Sequence, residues 1–249
     1  MIALEGVGKT FNAGGAAEVR ALQPTALYLA AGTFLVLVGG NGSGKTTLLD
    51  IVSGALPASG GRVLIKGVDV TALPEHRRSR WVARVFQNPL AGTASDLTVL
   101  DNFRLAALRT RAKRLVIGVD EAFRRQVRER IAELGLGLED KLHQPMGALS
   151  GGQRQALTLL MSVMDHTDIL LLDEPTAALD PHSARMVLRL ADRLIAERKL
   201  TAIFITHNLS EAMALGSRLI QLDRGRIVRD LDGAAKRALR LEEMQRWFG

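Results

Sequence analysis

Two hydrophobic periods divide the chain. From Phe34 to Val38 every residue is apolar and the run ends on Gly39, as expected for a strand buried on both faces of a parallel sheet. Ile169 to Leu172 repeats the pattern and stops on Asp173 and Glu174, and Thr201 to Ile205 reads as a further strand before Thr206 and His207. Shorter strands are expected over Ile2 to Phe11 and Ala21 to Leu29, around a turn at Gly14 and Gly15. Others are expected over Arg62 to Ile65, before a turn at Lys66 and Gly67, over Trp81 to Phe86, and on either side of Asp223, Arg224 and Gly225. Helical spacing covers Thr46 to Ser53, Pro181 to Glu197 and Leu209 to Leu215. Between Asp96 and about Asp165 the chain is rich in Leu, Ala, Arg and Glu at helical spacing, as in Glu121 to Leu134. Strands alternating with helices predict an α/β fold with a parallel sheet, and the helical middle reads as an insertion.

Composition narrows the chemistry. A chain of 249 residues, 47% of them hydrophobic, suits one sizeable domain or two small ones. With no cysteine, neither a disulfide scaffold nor a thiolate metal site is possible. The 33 basic against 26 acidic side chains give a formal charge of +7, which suits nucleic acid, anionic lipid or phosphate ligands. The start of the chain does not read as a secretory signal, and the most apolar stretch, Thr25 to Gly40, is short for a membrane span. A membrane role would therefore come through partners.

Three segments carry the candidate chemistry. The run from Gly39 to Thr46 fits the pattern G-x-x-x-x-G-K-[ST] between a strand and a helix. Glycines let backbone N–H groups turn inward, and a helix N-terminus behind them favours phosphate. Candidate nucleotide contacts are Gly39, Asn41, Gly42, Ser43, Gly44, Lys45, Thr46 and Thr47, with Lys45 on the β- and γ-phosphates and the Thr46 hydroxyl on Mg²⁺. The apolar strand ending at Asp173 and Glu174 offers one carboxylate for Mg²⁺ and one to polarise an attacking water. The third is Ser150, Gly151, Gly152 and Gln153. It reads as an S-x-x-Q capping box opening a helix through Met161, and equally as an exposed anion site.

In that order, these motifs resemble those of the ATP-binding cassette (ABC) ATPases, and the likeness covers essentially the entire chain. It implies an α/β fold: a P-loop NTPase core with a mainly parallel sheet over about 1–88 and 166–249, an N-terminal antiparallel β subdomain, and an inserted α-helical subdomain over about 89–165. All of 1–249 would be a single ABC ATPase domain. The resemblance further implies that Gln87 is a Mg²⁺ and water contact at the joint between core and helical subdomain, and that Asp180 belongs to a loop crossing between subunits. Asp180 is also a good helix cap before Pro181. His207 would contact the γ-phosphate. Phe11 matches an adenine-stacking aromatic; a core position is its alternative, and Tyr28 the rival ring. Gly40 departs from the proline common at that position, which should loosen the loop slightly.

The resemblance implies two copies closing head to tail around two ATP molecules, with ATP and Mg²⁺ as substrate and cofactor. It implies separate transmembrane permease subunits, an extracytoplasmic solute-binding protein, and a place at the cytoplasmic face of the membrane. Ala17 to Ala21, Leu73 to His76 and Phe86 to Thr93 resemble a bacterial importer subgroup with members linked to amino acid uptake. Leu97 to Arg109 would help form the groove for the permease. Basic clusters at His76 to Arg80, Arg109 to Arg114 and Arg124 to Arg130 lie toward anionic headgroups or form a solvated helical face. The alternative function is a soluble ABC ATPase acting in protein assembly or on nucleic acid. The lack of coiled coils, zinc modules or a second cassette argues against nucleic acid.

Overall fold

The runs at Phe34, Ile169 and Thr201 become neighbouring strands of one sheet in the computed structural model, which describes residues 1–109 and 118–248. In chain order the elements begin with β1 (Ile2–Phe11), β2 (Val19–Leu29), β3 (Phe34–Val38) and α1 (Lys45–Ser53). Then come β4 (Gly60–Ile65), β5 (Val68–Asp69), α2 (Glu75–Arg78) and β6 (Val82–Val85). The helical middle holds α3 (Val99–Ala107), α4 (Glu121–Ala132) and α5 (Gly151–Ser162). After it follow β7 (Ile169–Asp173), α6 (Pro181–Arg198), β8 (Thr201–Ile205), α7 (Leu209–Ala214) and β9 (Arg218–Asp223). The chain closes with β10 (Arg226–Leu231), α8 (Gly233–Ala238) and α9 (Leu241–Gln245).

The larger sheet has the order β10-β9-β3-β8-β7-β6, parallel from β9 to β6 and antiparallel only at β10. A smaller antiparallel sheet, β2-β1-β4-β5, stands beside it. Alternate residues of β3 point to opposite faces, which explains its unbroken apolar sequence. Phe34, Val36 and Val38 enter a core shared with α3, α4, α5 and α6. Leu35 and Leu37 enter a second core, where Leu48, Leu49, Ile51 and Val52 of α1 meet the small sheet. Burial of each such side chain is worth roughly 1.5–3 kcal/mol. Helix α1 is thus clamped between the two sheets, which fixes the loop in front of it.

Most differences from expectation are at boundaries: β2 starts at Val19 and not Ala21, and β4 at Gly60 and not Arg62. Strand β5, α2, α8 and α9 have no counterpart in the hydrophobic pattern, because two to six residues are too few to show a period. One basic cluster is corrected. Arg78, grouped with His76 to Arg80, does not face outward but is 2% exposed. Its guanidinium donates to the carbonyls of Ile51, Val52, Thr71 and Leu73 at 2.6, 3.1, 3.1 and 2.8 Å. Two of those carbonyls belong to the last turn of α1, so Arg78 caps the C-terminus of that helix. In the third cluster, Arg124 pairs with Glu121 on α4, and Arg130 with Glu133 just past its end. Arg109 bonds to the carbonyls of Ser162 and His166 and to the Thr167 hydroxyl. The rest of its cluster, 110–114, lies outside the described residues.

Candidate active site

The loop from Gly39 to Gly44 folds tightly across the end of β3. Gly44 has φ +102°, and a Cβ there would lie 2.4 Å from the Ala21 carbonyl oxygen, so only glycine fits. Helix α1 then begins without a side-chain cap, whereas every other described helix of six or more residues has one. Its first N–H groups are left for a ligand, with the positive end of the helix dipole behind them. The Ser43 hydroxyl is buried without a hydrogen-bond partner, as a group awaiting a phosphate oxygen would be. Lys45 Nζ donates to the carbonyls of Gly39 and Gly40, both at 2.9 Å. Burial lowers the pKa of this amine, while the carboxylates of Glu174 and Asp173 act in the opposite direction.

A cavity of about 520 Å³ is lined by this loop from Asn41 to Thr47 and by Phe11, Glu174 and His207. Phe11 is 37% exposed there, with Lys9 Nζ 5.1 Å from its ring centre, so it is not a core residue. Tyr28 is exposed elsewhere, its hydroxyl against the Met1 sulfur. Asp173 ends β7 and is 8% exposed; Glu174 follows it with φ +46°. Glu174 Oε1 lies 2.5 Å from His207 Nε2, joining the ends of two neighbouring strands. Glu211 of α7 secures both turns by accepting from the hydroxyls of Thr176 at 3.0 Å and Thr206 at 2.5 Å.

The remaining candidates lie apart from this cavity. Gln87 is exposed just beyond β6. Ser150 and Gln153 form the expected capping box at the start of α5, with bonds of 3.2 and 3.1 Å. Asp180 caps α6 by accepting from His182 N and Ser183 N. These two helix starts touch: a Cβ on Gly152 would lie 2.4 Å from the Ser183 hydroxyl. The chain therefore brings Ser150 to Gln153 and Asp180 together, but not to its own P-loop cavity.

Sequence reasoning missed Arg84, Glu211 and Gln155. Arg84 Nη1 donates to Asp50 Oδ1 at 2.5 Å and Nη2 to Asp173 Oδ2 at 2.7 Å. Burial alone would lower its pKa, but the bonds to the two carboxylates outweigh that and raise it. The available signal was one charge inside the apolar strand β6. Gln155 is fully buried, donates to the Phe86 carbonyl at 3.0 Å, and leaves its own Oε1 without a partner.

For Mg²⁺, the donors at hand are the exposed Thr46 hydroxyl and the Asp173 carboxylate, both hard oxygens. No group of three or more acidic, His or Cys side chains among the described residues is placed to hold a metal by itself. The set fits Mg²⁺, which takes one or two protein oxygens and completes its shell with phosphates and water.

Fold and cavity together define a P-loop α/β nucleotide-binding protein. The chain belongs to the ABC transporter family, whose pattern it matches over residues 22–177. A tyrosine transport ATP-binding protein of Clostridioides difficile is 38% identical over 220 residues, 87% of this chain and 86% of that protein. A methionine import ATP-binding protein of Pseudomonas aeruginosa is 36% identical over 239 residues, 94% of this chain and 68% of that protein. An ATP-binding cassette solved as a dimer in a post-hydrolysis state with ADP and Pi superposes with a TM-score of 0.80. It is 27% identical, and the match covers 94% of this chain and 99% of that one.

Proposed function

We propose that this chain is the ATP-hydrolysing subunit of an ABC importer, and that two copies close head to tail around two ATP molecules. One observation carries the reading: the P-loop cavity holds Lys45, Glu174 and His207, while Ser150 to Gln153 lies on another part of the same chain. A second copy in reversed orientation supplies what the cavity lacks. The dimeric cassette above supports that arrangement.

In the proposed mechanism Phe11 stacks on adenine, and the loop from Gly39 to Thr47 wraps the phosphates. Lys45 exchanges its two carbonyl acceptors for β- and γ-phosphate oxygens, and Ser43 gains its missing partner. Thr46 and Asp173 would hold Mg²⁺, which would neutralise phosphate charge, and Gln87, outside the cavity in the single chain, would approach that shell once ATP is bound. Glu174 takes a proton from the attacking water, and His207, 2.5 Å away, orients that carboxylate and reaches the γ-phosphate. Phosphoryl transfer is mainly positioning and charge stabilisation, so no covalent intermediate is required. Ser150, Gly151, Gly152 and Gln153 of the second copy close over the γ-phosphate, with Asp180 beside them.

The division into a core over about 1–88 and 166–249 and a helical subdomain over about 89–165 belongs to the same proposal. A cavity of about 580 Å³ lies between these parts, lined by Phe86, Gly92, Asn102, Leu105 and Thr158. It suits the coupling segment of a separate permease. No helix among the described residues is long and apolar enough to cross a membrane. A peripheral place on the membrane's cytoplasmic face, through the permease, follows from the reading. The relatives named for tyrosine and methionine favour an amino acid as cargo; an extracytoplasmic binding protein that delivers it is a further part of the proposal.

Tagged Glu174→Gln protein with ATP and Mg²⁺ tests both halves. Alone, it should elute as a dimer, and Ser150→Arg should abolish that dimer while sparing nucleotide binding. From detergent-solubilised native membranes it should bring down a multi-span hydrophobic subunit. Recovery of only soluble partners or nucleic acid overturns transport and leaves ATP hydrolysis standing; a monomer with ATP overturns the sandwich.

A further inference from the structure

Arg84 stands in β6, and its side chain is only 10% exposed. A guanidinium buried to that degree needs its charge matched, and here one fork spans two elements. One arm reaches Asp50 on α1, the helix behind the P-loop; the other reaches Asp173 at the end of β7. The Phe86 ring, 4.8 Å from the guanidinium carbon, covers it. The planar fork is what makes the double contact possible, since an ammonium is a single point charge on a flexible stem. The bond takes Asp173 through Oδ2 and leaves Oδ1 outside it.

We propose that Arg84 is the positioning residue of the Mg²⁺ site: it holds Asp173 by one oxygen so that the other is presented to the nucleotide-bound metal, and through Asp50 it ties that carboxylate to the P-loop helix. The inference rests on Asp173 being a Mg²⁺ carboxylate. Groups that orient a metal-ligating carboxylate typically contribute 10–100-fold to metal affinity. Because β6 leads directly into Phe86 and Gln87, the same fork also ties the approach to Gln87 to α1 and to the end of β7.

The test measures affinity for a non-hydrolysable ATP analogue by calorimetry, in Mg²⁺ and in EDTA, for the full chain and for Arg84→Gln, Arg84→Lys and Asp50→Asn. The Mg²⁺-dependent gain should fall about 10–100-fold in Arg84→Gln, while affinity in EDTA stays within about twofold. Arg84→Lys should not restore the gain, and Asp50→Asn should lower it several-fold. Binding of Mn²⁺ with the analogue, followed by electron paramagnetic resonance, should weaken in parallel. An unchanged gain in Arg84→Gln overturns the proposal. So does full rescue by lysine, which reduces the role to charge, or an equal loss in EDTA, which reduces it to folding. If Arg84→Gln does not fold, Asp50→Asn decides: an unchanged gain there overturns the proposal. If the unmodified chain shows no Mg²⁺-dependent gain, the assignment of Asp173 itself falls, and the proposal with it.

Discussion

Glu174 is asked both to hold a left-handed backbone and to act on water. Its φ of +46° crowds Cβ against the neighbouring carbonyl, costing about 1–2 kcal/mol for a residue other than glycine. Replacing it with alanine keeps that cost; replacing it with glycine removes it. Glycine, however, loses about 0.4–1 kcal/mol through the greater freedom of its unfolded chain. The contact with His207 disappears from both variants and cancels in the comparison. Glu174→Gly should therefore be more stable than Glu174→Ala by about 0.5–1 kcal/mol, read from urea denaturation. Both variants, and Glu174→Gln, lose the proposed base, so phosphate release should fall by about 10²–10⁴-fold with nucleotide affinity unchanged. A glycine variant less stable than the alanine one refutes the strain argument. A glutamine variant that keeps more than about a tenth of turnover refutes the base assignment.

Three further outcomes are expected. Lys236 is 5% exposed and donates to the carbonyls of Leu215 and Gly216, and burial brings its amine down from 10.5 to about 8. The unfolded chain then binds more protons between those values, so the penalty is complete below about pH 8 and disappears above about 10.5. At about 1.4 kcal/mol per pH unit it amounts to about 3 kcal/mol. In urea, the native chain should accordingly gain about 2 kcal/mol on Lys236→Met between pH 7.5 and pH 10; a flat difference means the two carbonyls sustain the ammonium. Arg78→Met strips the donors from four carbonyls and should cost about 3 kcal/mol; a loss below about 1 kcal/mol in urea denaturation refutes its capping of α1. Gln155→Met removes one hydrogen bond but also one orphaned oxygen, so stability should change by less than about 1 kcal/mol. Turnover should still fall several-fold, because Phe86 and Gln87 are no longer tied to α5; unchanged turnover refutes that coupling.

Local features are legible in the order of the residues. Phe34 to Val38 and Ile169 to Asp173 are strands because runs of apolar residues satisfy both faces of a buried sheet. Gly39 to Thr46, the capping box at Ser150 and the cap at Asp180 are spelled out within a few residues. Which of these features meet depends on how the folded chain packs. Glu174 and His207 lie 33 positions apart yet touch, because β7 and β8 are neighbours in the sheet. The grip of Arg84 on Asp50 and Asp173 spans separations of 34 and 89 residues. Arg78 reads as one more surface charge until its four carbonyls are seen around it. Periodicity reports which face of an element is buried, and a motif reports chemistry along a short stretch of backbone. The partner of a buried charge is set by how sheets and helices pack, which no local pattern encodes.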